Sequence, residues 1–295
     1  TPESIIVAEL SSWRLSSLRN REWRPDISVV TNLYPDHQNY YKSMEAYARD
    51  KQAILAFQTK SDSAVLNFDH AGVREWSQLT QATPIFFLAS GQTLDRGMRL
   101  VNGEVALYVS GVSRTLFPYE TPYLVGEHNK ANVLAALATA WQLGIAPEIL
   151  RQALKTFHSL PHRFELVTKK NDITYINDTA ATSPEALLAA LDTCSAPVVL
   201  LAGGADKNFV EPLLTKTKAV ILFKGTGTDK LLPLLERKAQ ALGKEMLFPV
   251  VTTMRDAVVI AEENADAGDI ILLSPGMASF GIFKNEFDRG EQFRT

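Results

Sequence analysis

The sequence predicts an α/β protein of two domains, each built on a mostly parallel sheet covered by helices. Short apolar runs rich in β-branched residues alternate with segments of helical spacing along the chain, as in parallel sheets with crossover helices. The alternation restarts after a segment punctuated by Pro161, and a length of 295 residues suits two domains. We therefore expect one domain at residues 1–160 and a second at 161–295.

In the first domain, four short apolar runs are predicted to be buried strands, namely residues 5–10, 27–33, 64–68 and 84–88. The second of these ends in Tyr34-Pro35, where a strand should stop. Apolar side chains at helical spacing, from Met44 to Phe57, predict a helix over 43–57. Glycine-interrupted alternation over 99–118 indicates an antiparallel excursion, and an Ala- and Leu-rich stretch predicts a helix over 129–143.

The second domain repeats the alternation over about 130 residues. Its predicted strands are residues 164–168, 173–177, 198–202, 219–223, 246–251 and 270–273. Its predicted helices are residues 184–191, 229–242 and 254–264. The pattern therefore predicts a second α/β sheet.

Composition excludes several classes of protein. A hydrophobic content of 46% with 21% charged residues is ordinary for a globular chain. The net charge of −3 argues against a general nucleic-acid binder. One cysteine, Cys194, excludes an internal disulfide framework and a Cys-rich zinc site, and fits a reducing compartment. No apolar run approaches ~18 residues and no basic leader opens the chain, so we expect neither a membrane span nor a signal peptide.

Polar residues follow four of the predicted strands, at the edge where open parallel sheets bind ligands. These are Glu9, the pair Asp36-His37, the pair Asn177-Asp178, and Ser274. An acid and a histidine at two strand ends of one sheet could share a metal ion. The alternative is that they are solvated polar residues of loops.

Lys51 falls on the apolar face of the predicted helix 43–57, four residues after Tyr47 and three before Ile54. Lysine is rarely buried without a partner, and burial of a lysine lowers its pKa because desolvation disfavours the ammonium. A neutral amine can act as a nucleophile or react with carbon dioxide to form a carbamate. The spacing alone favours the alternative, in which the side chain snorkels at the edge of the stripe.

Three further segments are candidates for ligand contact. Asn129 and Asn132 share a helix face and could bind a nucleobase edge, or Asn129 or its neighbour could simply cap the helix. The glycines at 203–204 follow a strand and suit either close approach of a ligand or a turn. The segment 225–230 lacks the spacing of a phosphate loop, so we interpret it as a loop with a helix cap.

Taken together, these segments resemble the Mur ligase family, and within it the branch that adds glutamate. Several motifs match in order over essentially the whole chain: Glu9-Leu10-Ser11-Ser12, Thr31-Asn32 to Asp36-His37, Tyr47 to Lys51, Gly126-Glu127-His128-Asn129 to Asn132, Leu160-Pro161-His162-Arg163-Phe164, Asn177-Asp178-Thr179, Gly203-Gly204-x-Asp206-Lys207, Leu273-Ser274-Pro275 to Ala278-Ser279, Phe283-Lys284-Asn285 and Arg289-Gly290 to Phe293. One such motif is a weak signal, whereas the ordered set is specific.

The resemblance implies a central ATP-binding domain at 1–160 and a Rossmann-like, amino-acid-binding domain at 161–295. It implies an ATP-dependent amide-bond ligase of peptidoglycan precursor synthesis. ATP phosphorylates the carboxylate of UDP-N-acetylmuramoyl-L-alanine, and the amine of glutamate attacks the acyl phosphate. Magnesium ions neutralise charge on the moving phosphoryl group. The family implies a cytoplasmic monomer that acts on small molecules, without nucleic acid or membrane partners.

The resemblance also implies a role for each matched residue. Glu9, His37 and a carbamylated Lys51 would serve magnesium, although a histidine ligand is unusual for this ion. The residues implied for ATP are Asn129, Asn132, Arg163 and Asp178. Those implied for the incoming glutamate are Thr182, Lys207 and Ser279, and a lysine suits the carboxylate electrostatically.

The chain departs from the family pattern in three places. Ala180 stands where the family often has lysine, and Glu286 stands where it has an aromatic residue, with Phe287 one place later. Both changes concern the implied amino-acid pocket, so a variant that uses L-glutamate is an alternative. The phosphate loop and UDP-binding domain that precede the Glu9 motif are not present, so we expect a fragment that is inactive alone.

Two further alternatives remain open at this point. One is a Mur-like ligase with another acceptor, such as a folylpolyglutamate-type enzyme. The other is a degenerate Mur-like subunit that binds a partner and has no catalytic activity.

Overall fold

The computed structural model describes residues 4–35, 38–89, 91, 93–203, 210–277 and 281–295. The chain divides into two compact units, the first comprising Thr1–Pro122 with Glu127–Phe157, and the second Tyr123–Gly126 with His158–Thr295. No helix among these described residues is both long and apolar enough to cross a membrane.

The first unit contains a six-stranded sheet in the order β1-β2-β3-β4-β5-β6. Its strands are β1 Ile27–Val30, β2 Ser63–Asn67, β3 Thr83–Leu88, β4 Gly97–Val101, β5 Glu104–Val109 and β6 Val112–Pro118. Its helices are α1 Ser12–Leu18, α2 Gln38–Tyr41, α3 Met44–Gln52, α4 Ala71–Arg74, α5 Glu127–Gln142 and α6 Pro147–Thr156, with a 3-10 helix at Glu75–Leu79. Strands β1 to β4 are parallel and β4 to β6 antiparallel, which confirms the excursion predicted over 99–118.

Glycine is required where β4 starts. Gly97 has a φ of +145°, and a Cβ there would lie 1.8 Å from the Phe86 carbonyl oxygen of β3. The close approach of the two backbones therefore excludes any side chain at this position.

The second unit contains a six-stranded sheet in the order β11-β10-β9-β12-β8-β7, parallel except for the β7–β8 pair. Its strands are β7 Glu165–Lys170, β8 Ile173–Asn177, β9 Val198–Gly203, β10 Ala219–Phe223, β11 Val250–Val251 and β12 Ile270–Leu273. Its helices are α7 Pro184–Thr193, α8 Val210–Lys216, α9 Thr226–Ala241, α10 Met254–Asn264 and α11 Glu286–Arg294.

Both faces of this second sheet are covered. Along the central strand β9, Val198 and Leu200 pack into one apolar cluster, whereas Val199 and Leu201 pack into another. Successive side chains of a strand point to opposite faces, so a continuous apolar run indicates a sheet with helices on both sides. This arrangement confirms the predicted α/β fold class.

The strand predicted at 5–10 is wrong. Residues 4–10 contain no strand, and Ile5, Ile6 and Val7 are 65%, 88% and 92% exposed. A strand forms by pairing its backbone with a neighbour, and β1 pairs with β2 alone in the described sheet. Apolar composition without a paired neighbour therefore leaves this segment irregular and exposed.

Three other predicted elements are shorter than expected, of which the strand predicted over 27–33 ends at Val30. The helix predicted over 43–57 ends at Gln52, because the following amides bond to carbonyls three residues back, as from Leu55 to Gln52 and from Gln58 to Leu55. The strand predicted over 246–251 is reduced to β11, since Pro249 has no amide hydrogen to donate to a neighbour.

Candidate active site

In the first unit, the residues that follow three adjacent parallel strands are tied to one another. The Asn67 side-chain Nδ2, at the end of β2, donates to the Thr31 carbonyl oxygen after β1 at 2.7 Å. Asp69 Oδ2 accepts from the Ala89 amide after β3 at 2.8 Å. The carboxyl-terminal edge of this sheet, where ligands bind in open α/β folds, is therefore held by side-chain-to-backbone bonds.

Lys51 lies near the end of α3, a helix whose start is capped by Ser43 Oγ accepting from the Ala46 amide at 3.2 Å. The Lys51 side chain is half-buried, and its Nζ lies 5.2 Å from the centroid of the buried Tyr47 ring one turn earlier. An ammonium over an aromatic face is stabilised by the ring quadrupole. The next residue back, Asp50, forms an ion pair at 3.0 Å with Arg19, the C-cap of α1, so the end of α1 and α3 are joined beside Lys51.

The other two predicted magnesium ligands differ in their placement. Glu9 is exposed and precedes α1, whose N-cap is Ser11. His37 and its neighbour Asp36 lie outside the described residues. Within the described part of the chain, no group of three or more His, Cys, Asp or Glu side chains could hold a metal ion. The described residues alone therefore do not form a metal site, and we derive no chemical step through one.

The two asparagines predicted to contact a nucleobase lie in the first turns of α5. This helix begins at Glu127, so Asn129 and Asn132 are its third and sixth residues. The alternative in which Asn129 caps the helix is therefore wrong. Asn129 is half-buried and Asn132 is exposed one turn later, and both side chains lie on neighbouring positions of one helix face.

The second unit places Asp178 at the carboxyl end of β8, beside the end of β12. Phe164 N–H donates to Asp178 Oδ1 at 3.0 Å, and Ser274 Oγ donates to Oδ2 at 2.8 Å. Leu273 and Asn177 are register partners in the parallel β8–β12 pair, so the next residues of the two strands meet. The structure thus brings together two residues, Asp178 and Ser274, that the sequence singled out separately.

Burial dominates the electrostatics of Asp178. Desolvation raises the pKa of this carboxyl from 3.8 to about 6, although the bonds from Ser274 and Phe164 and the charge of Arg163 lower it. The residue is 9% exposed. Asp178 is therefore a desolvated carboxyl that its hydrogen bonds only partly compensate.

His162 links the start of the second unit to β8 and α11. Asn177 Nδ2 donates to His162 Nδ1 at 3.0 Å, so the neutral ring carries its hydrogen on Nε2, which lies 3.2 Å from Glu291 Oε1. Gly290 of α11 packs against this ring, and a Cβ there would lie 2.3 Å from His162 Nδ1. The contact therefore requires a glycine on the buried side of α11.

Arg289 of α11 is buried and bonds to neutral acceptors after β8. Its Nε donates to Thr179 Oγ1 at 2.8 Å and its Nη2 to the Thr179 carbonyl oxygen at 2.9 Å. Burial lowers the pKa of this guanidinium to about 10, while the charge of Glu286 raises it. Thr179 Oγ1 in turn donates to the Glu286 carbonyl oxygen at 3.0 Å, so α11 is fixed on the loop that leads to Thr182.

Thr182 and Arg163, predicted to contact substrate and ATP, are both exposed. Thr182 immediately precedes Ser183, the N-cap of α7. Lys207 and Ser279 lie outside the described residues. The segment at 225–230, interpreted as a loop, is instead the start of α9, which begins at Thr226 rather than at 229. Gly225 is its N-cap, and no side chain caps the helix.

Sequence reasoning assigned no role to several residues that make polar contacts, among them Arg289, which it named only within the last motif of the resemblance. Arg289 lies in a short helix with few apolar residues, so its pattern is that of a surface residue. Asn67 ends β2, and His70 follows this strand. The signal available for Asn67 was that it is a polar residue at the end of a strand. Each of these residues acts through a bond to another segment's backbone, which spacing does not reveal.

Two family models match the chain. The Mur ligase middle domain matches residues 2–140, and the Mur ligase glutamate ligase domain matches residues 162–277. Among curated proteins, the UDP-N-acetylmuramoylalanine–D-glutamate ligase of a Roseiflexus species is 37% identical over 100% of this chain and 65% of its own length. The ligase of the same name from a Thermoanaerobacter species is 34% identical over 99% of this chain and 64% of its own.

Solved structures show the same fold at lower identity. The MurF ligase of Thermotoga maritima, in complex with ADP, has a TM-score of 0.64 and 18% identity, covering 96% of this chain and 64% of its own. A pseudomurein peptide ligase type C from Methanothermus fervidus has a TM-score of 0.66 and 16% identity, covering 90% of this chain and 64% of its own.

The chain thus spans just under two thirds of the length of these curated relatives. The two family models cover consecutive domains, in the order of the two structural units. On these grounds the chain belongs to the Mur ligase family.

Proposed function

We propose that this chain is part of an ATP-dependent ligase that joins glutamate to UDP-N-acetylmuramoyl-L-alanine in peptidoglycan precursor synthesis. The observation that carries the proposal is the similarity across the whole chain to ligases named for this activity, at 37% and 34% identity. The reaction would activate the substrate carboxylate as an acyl phosphate. Attack by the amine of glutamate would then give a tetrahedral intermediate that releases phosphate and leaves the amide.

We assign residues 1–160 to ATP binding and residues 161–295 to binding of the amino acid. Each unit has polar residues at the carboxyl ends of its parallel strands, Thr31 and Asn67 in one and Asp178 in the other, and open parallel sheets bind ligands at this edge. The protein would act as a cytoplasmic monomer on small molecules, without nucleic acid or membrane partners.

For ATP, we propose that Asn129 and Asn132 contact the adenine and that Arg163 contacts the phosphates. The exposure of Asn132 and Arg163 supports roles in binding, and a guanidinium suits bidentate contact with phosphate. Asp178 is proposed for the ribose. Its oxygens already accept one bond each, and a carboxylate has about four acceptor positions.

For magnesium, we propose Glu9, His37 and a carbamylated Lys51. A bound magnesium ion would neutralise negative charge on the transferred phosphoryl group. The half-buried Nζ of Lys51 is the group that a carbamate requires, since carbon dioxide reacts with the neutral amine. For glutamate, we propose Thr182, Lys207 and Ser279, of which Thr182 is exposed after β8.

The test is phosphate release by the intact gene product with ATP, magnesium and UDP-N-acetylmuramoyl-L-alanine, to which D- or L-glutamate is added in parallel. We expect turnover that requires both the UDP substrate and one enantiomer, with D-glutamate expected from the relatives' name. Turnover with L-glutamate alone would favour the variant in which Ala180 and Glu286 have altered the acceptor pocket.

A matched pair of variants tests the role of Lys51. Lys51→Arg keeps the positive charge but removes the amine that forms a carbamate, so we expect a large loss of kcat. Lys60→Arg changes an exposed lysine after α3 and should leave kcat within about twofold. A folded intact protein that releases no phosphate with either enantiomer would contradict the proposal. Activity with a folyl substrate would favour the other-acceptor alternative, and no activity at all the non-catalytic one.

A further inference from the structure

We propose that His70 and Asn67 are positioning residues, which hold the loop that follows β1 in the geometry needed for catalysis. The described part of this loop is residues 31–35, and it continues into Asp36 and His37. The inference rests on the proposed function, in which that continuation serves the phosphoryl transfer. Neither His70 nor Asn67 is assigned a contact with substrate here; both act through the loop backbone.

Asn67 holds the start of the loop. Its Nδ2 donates to the Thr31 carbonyl oxygen at 2.7 Å, and its Oδ1 accepts from the Asp69 amide at 2.9 Å. The second bond fixes which end of the amide faces Thr31, because Oδ1 already accepts within its own turn. The donor at position 67 is therefore oriented toward the loop rather than toward solvent.

His70 holds the middle of the loop. It is the N-cap of α4, and its Nδ1 accepts from the Val73 amide at 3.3 Å. An Nδ1 that accepts leaves the hydrogen of a neutral ring on Nε2, which lies 3.2 Å from the Leu33 carbonyl oxygen and 3.3 Å from the Leu33 amide nitrogen. In this tautomer Nε2 donates to the carbonyl oxygen, because a protonated nitrogen cannot also accept from the amide. The Tyr34 ring packs edge-on against the same imidazole at a centroid distance of 5.6 Å. One ring therefore bonds to both a helix start and the loop.

The turn that carries both residues is itself fixed on its other side. Asp69 Oδ2 accepts from the Ala89 amide after β3 at 2.8 Å. The turn after β2 is thus tied to the segments after both neighbouring strands, β1 and β3. Such a turn can transmit the rigidity of the sheet to the loop, whereas a freely moving turn could not.

Two substitutions at position 70 separate the capping role from the loop contact. His70→Asn keeps an acceptor at the position of Nδ1, and asparagine is a preferred N-cap, but the shorter side chain loses Leu33. His70→Gln places an amide at the position of Nε2 and retains a donor toward Leu33, but glutamine is a poor cap. Asn67→Asp removes the other loop contact independently, because it replaces the donor to the Thr31 carbonyl oxygen by a carboxylate oxygen.

Hydrogen exchange of this chain, followed by mass spectrometry, provides a readout that does not depend on activity. In His70→Asn we expect the amides of residues 31–34 to exchange about tenfold faster, with α4 unchanged. In His70→Gln we expect the reverse, with α4 faster and the loop unchanged. Equal exchange of the loop in His70→Asn and in the wild type would overturn the proposal.

Kinetics of the intact gene product provide the second readout. We expect His70→Asn and Asn67→Asp to lower kcat by ~10- to 100-fold with little change in the KM for glutamate, and His70→Gln to recover most of the loss. Thr253→Ala, which removes the cap of α10 in the second unit, is the control for a lost cap elsewhere. Equal kcat losses in His70→Asn and Thr253→Ala would overturn the proposal. Absence of ligase activity in the wild type would instead remove the proposed function, while the exchange data still decide whether His70 holds the loop.

Discussion

Replacing Asp178 by asparagine should make the stability of the second unit less dependent on pH. Asparagine has nearly the same shape, its oxygen can accept from the Phe164 amide, and its Nδ2 can donate to Ser274 Oγ. The substitution therefore removes the titration of a buried carboxyl while keeping both contacts. Both partners remain hydrogen-bonded, so the comparison isolates the ionisation.

The magnitude follows from the raised pKa of Asp178. A change from 3.8 to about 6 is roughly two pKa units, or about 3 kcal/mol in total. Because the folded carboxyl holds its proton more tightly, the native state binds more protons than the unfolded state between these values. The free energy of unfolding of the wild type therefore falls as pH rises through this window and levels off above about 6. Between pH 4 and pH 7, the free energy of unfolding of Asp178→Asn should therefore rise by about 2–3 kcal/mol relative to that of the wild type.

The assay must report on the second unit specifically. All four tryptophans, Trp13, Trp23, Trp76 and Trp141, lie in the first unit, so tryptophan fluorescence would follow the wrong unit. Hydrogen exchange of the central strands β9 and β12 reports opening of the second unit. Comparison of variant and wild type at the same pH cancels the intrinsic pH dependence of exchange.

An exposed aspartate provides the control. Asp229 lies in the first turn of α9. The difference in the free energy of unfolding between Asp229→Asn and the wild type should change by less than about 1 kcal/mol over the same pH range. A difference between Asp178→Asn and the wild type that stays flat within ~0.5 kcal/mol from pH 4 to pH 7 would refute the reasoning. It would mean that the carboxyl is not desolvated as the structure indicates.

Two further predictions concern packing and reactivity. Gly290→Ala should destabilise the second unit by about 1–3 kcal/mol, measured by hydrogen exchange of β8, because the new Cβ would lie 2.3 Å from His162 Nδ1 and 2.6 Å from Thr179 Cγ2. The control is Gly72→Ala, where the nearest atom to the new Cβ is 3.5 Å away. Equal effects of the two substitutions would contradict the prediction. Burial raises the pKa of the Cys194 thiol to about 12. A disulfide reagent at pH 8 should therefore label Cys194 in the native chain at least ~100-fold more slowly than in the urea-unfolded chain. Similar labelling rates in the two states would count against this prediction.

The strands of the second unit could be predicted because their sequence pattern and their burial have the same cause. Strand β12 is an unbroken apolar run, its four residues are all buried, and its predicted bounds agree with the structure. Helix α10 was predicted with the observed bounds, since Thr253 caps its start. The strand predicted at 5–10 does not form, because an apolar run specifies a strand only where a neighbouring strand offers its backbone for pairing.

The polar contacts were less predictable than the strands. The rule that parallel strands end at one edge led to Asp178 and Ser274, which the structure joins. It did not lead to Arg289 or His70, because each bonds to the backbone of a segment distant in sequence. A carbonyl oxygen has the same chemistry in every residue, so nothing in the sequence marks it as the acceptor.

Burial separates two kinds of polar residue at these sheet edges. Asp178 and Arg289 are buried, and each bonds to the protein itself, which fixes the loops after β8 and β12. Arg163 and Thr182 in the second unit, and Asn132 in the second turn of α5, are exposed instead. A buried polar group must satisfy its bonds within the fold, whereas an exposed one can exchange water for a ligand at little cost. The exposed residues can therefore exchange water for a ligand directly, whereas Asp178 would bind a ribose only through the acceptor positions that its bonds to Phe164 and Ser274 leave.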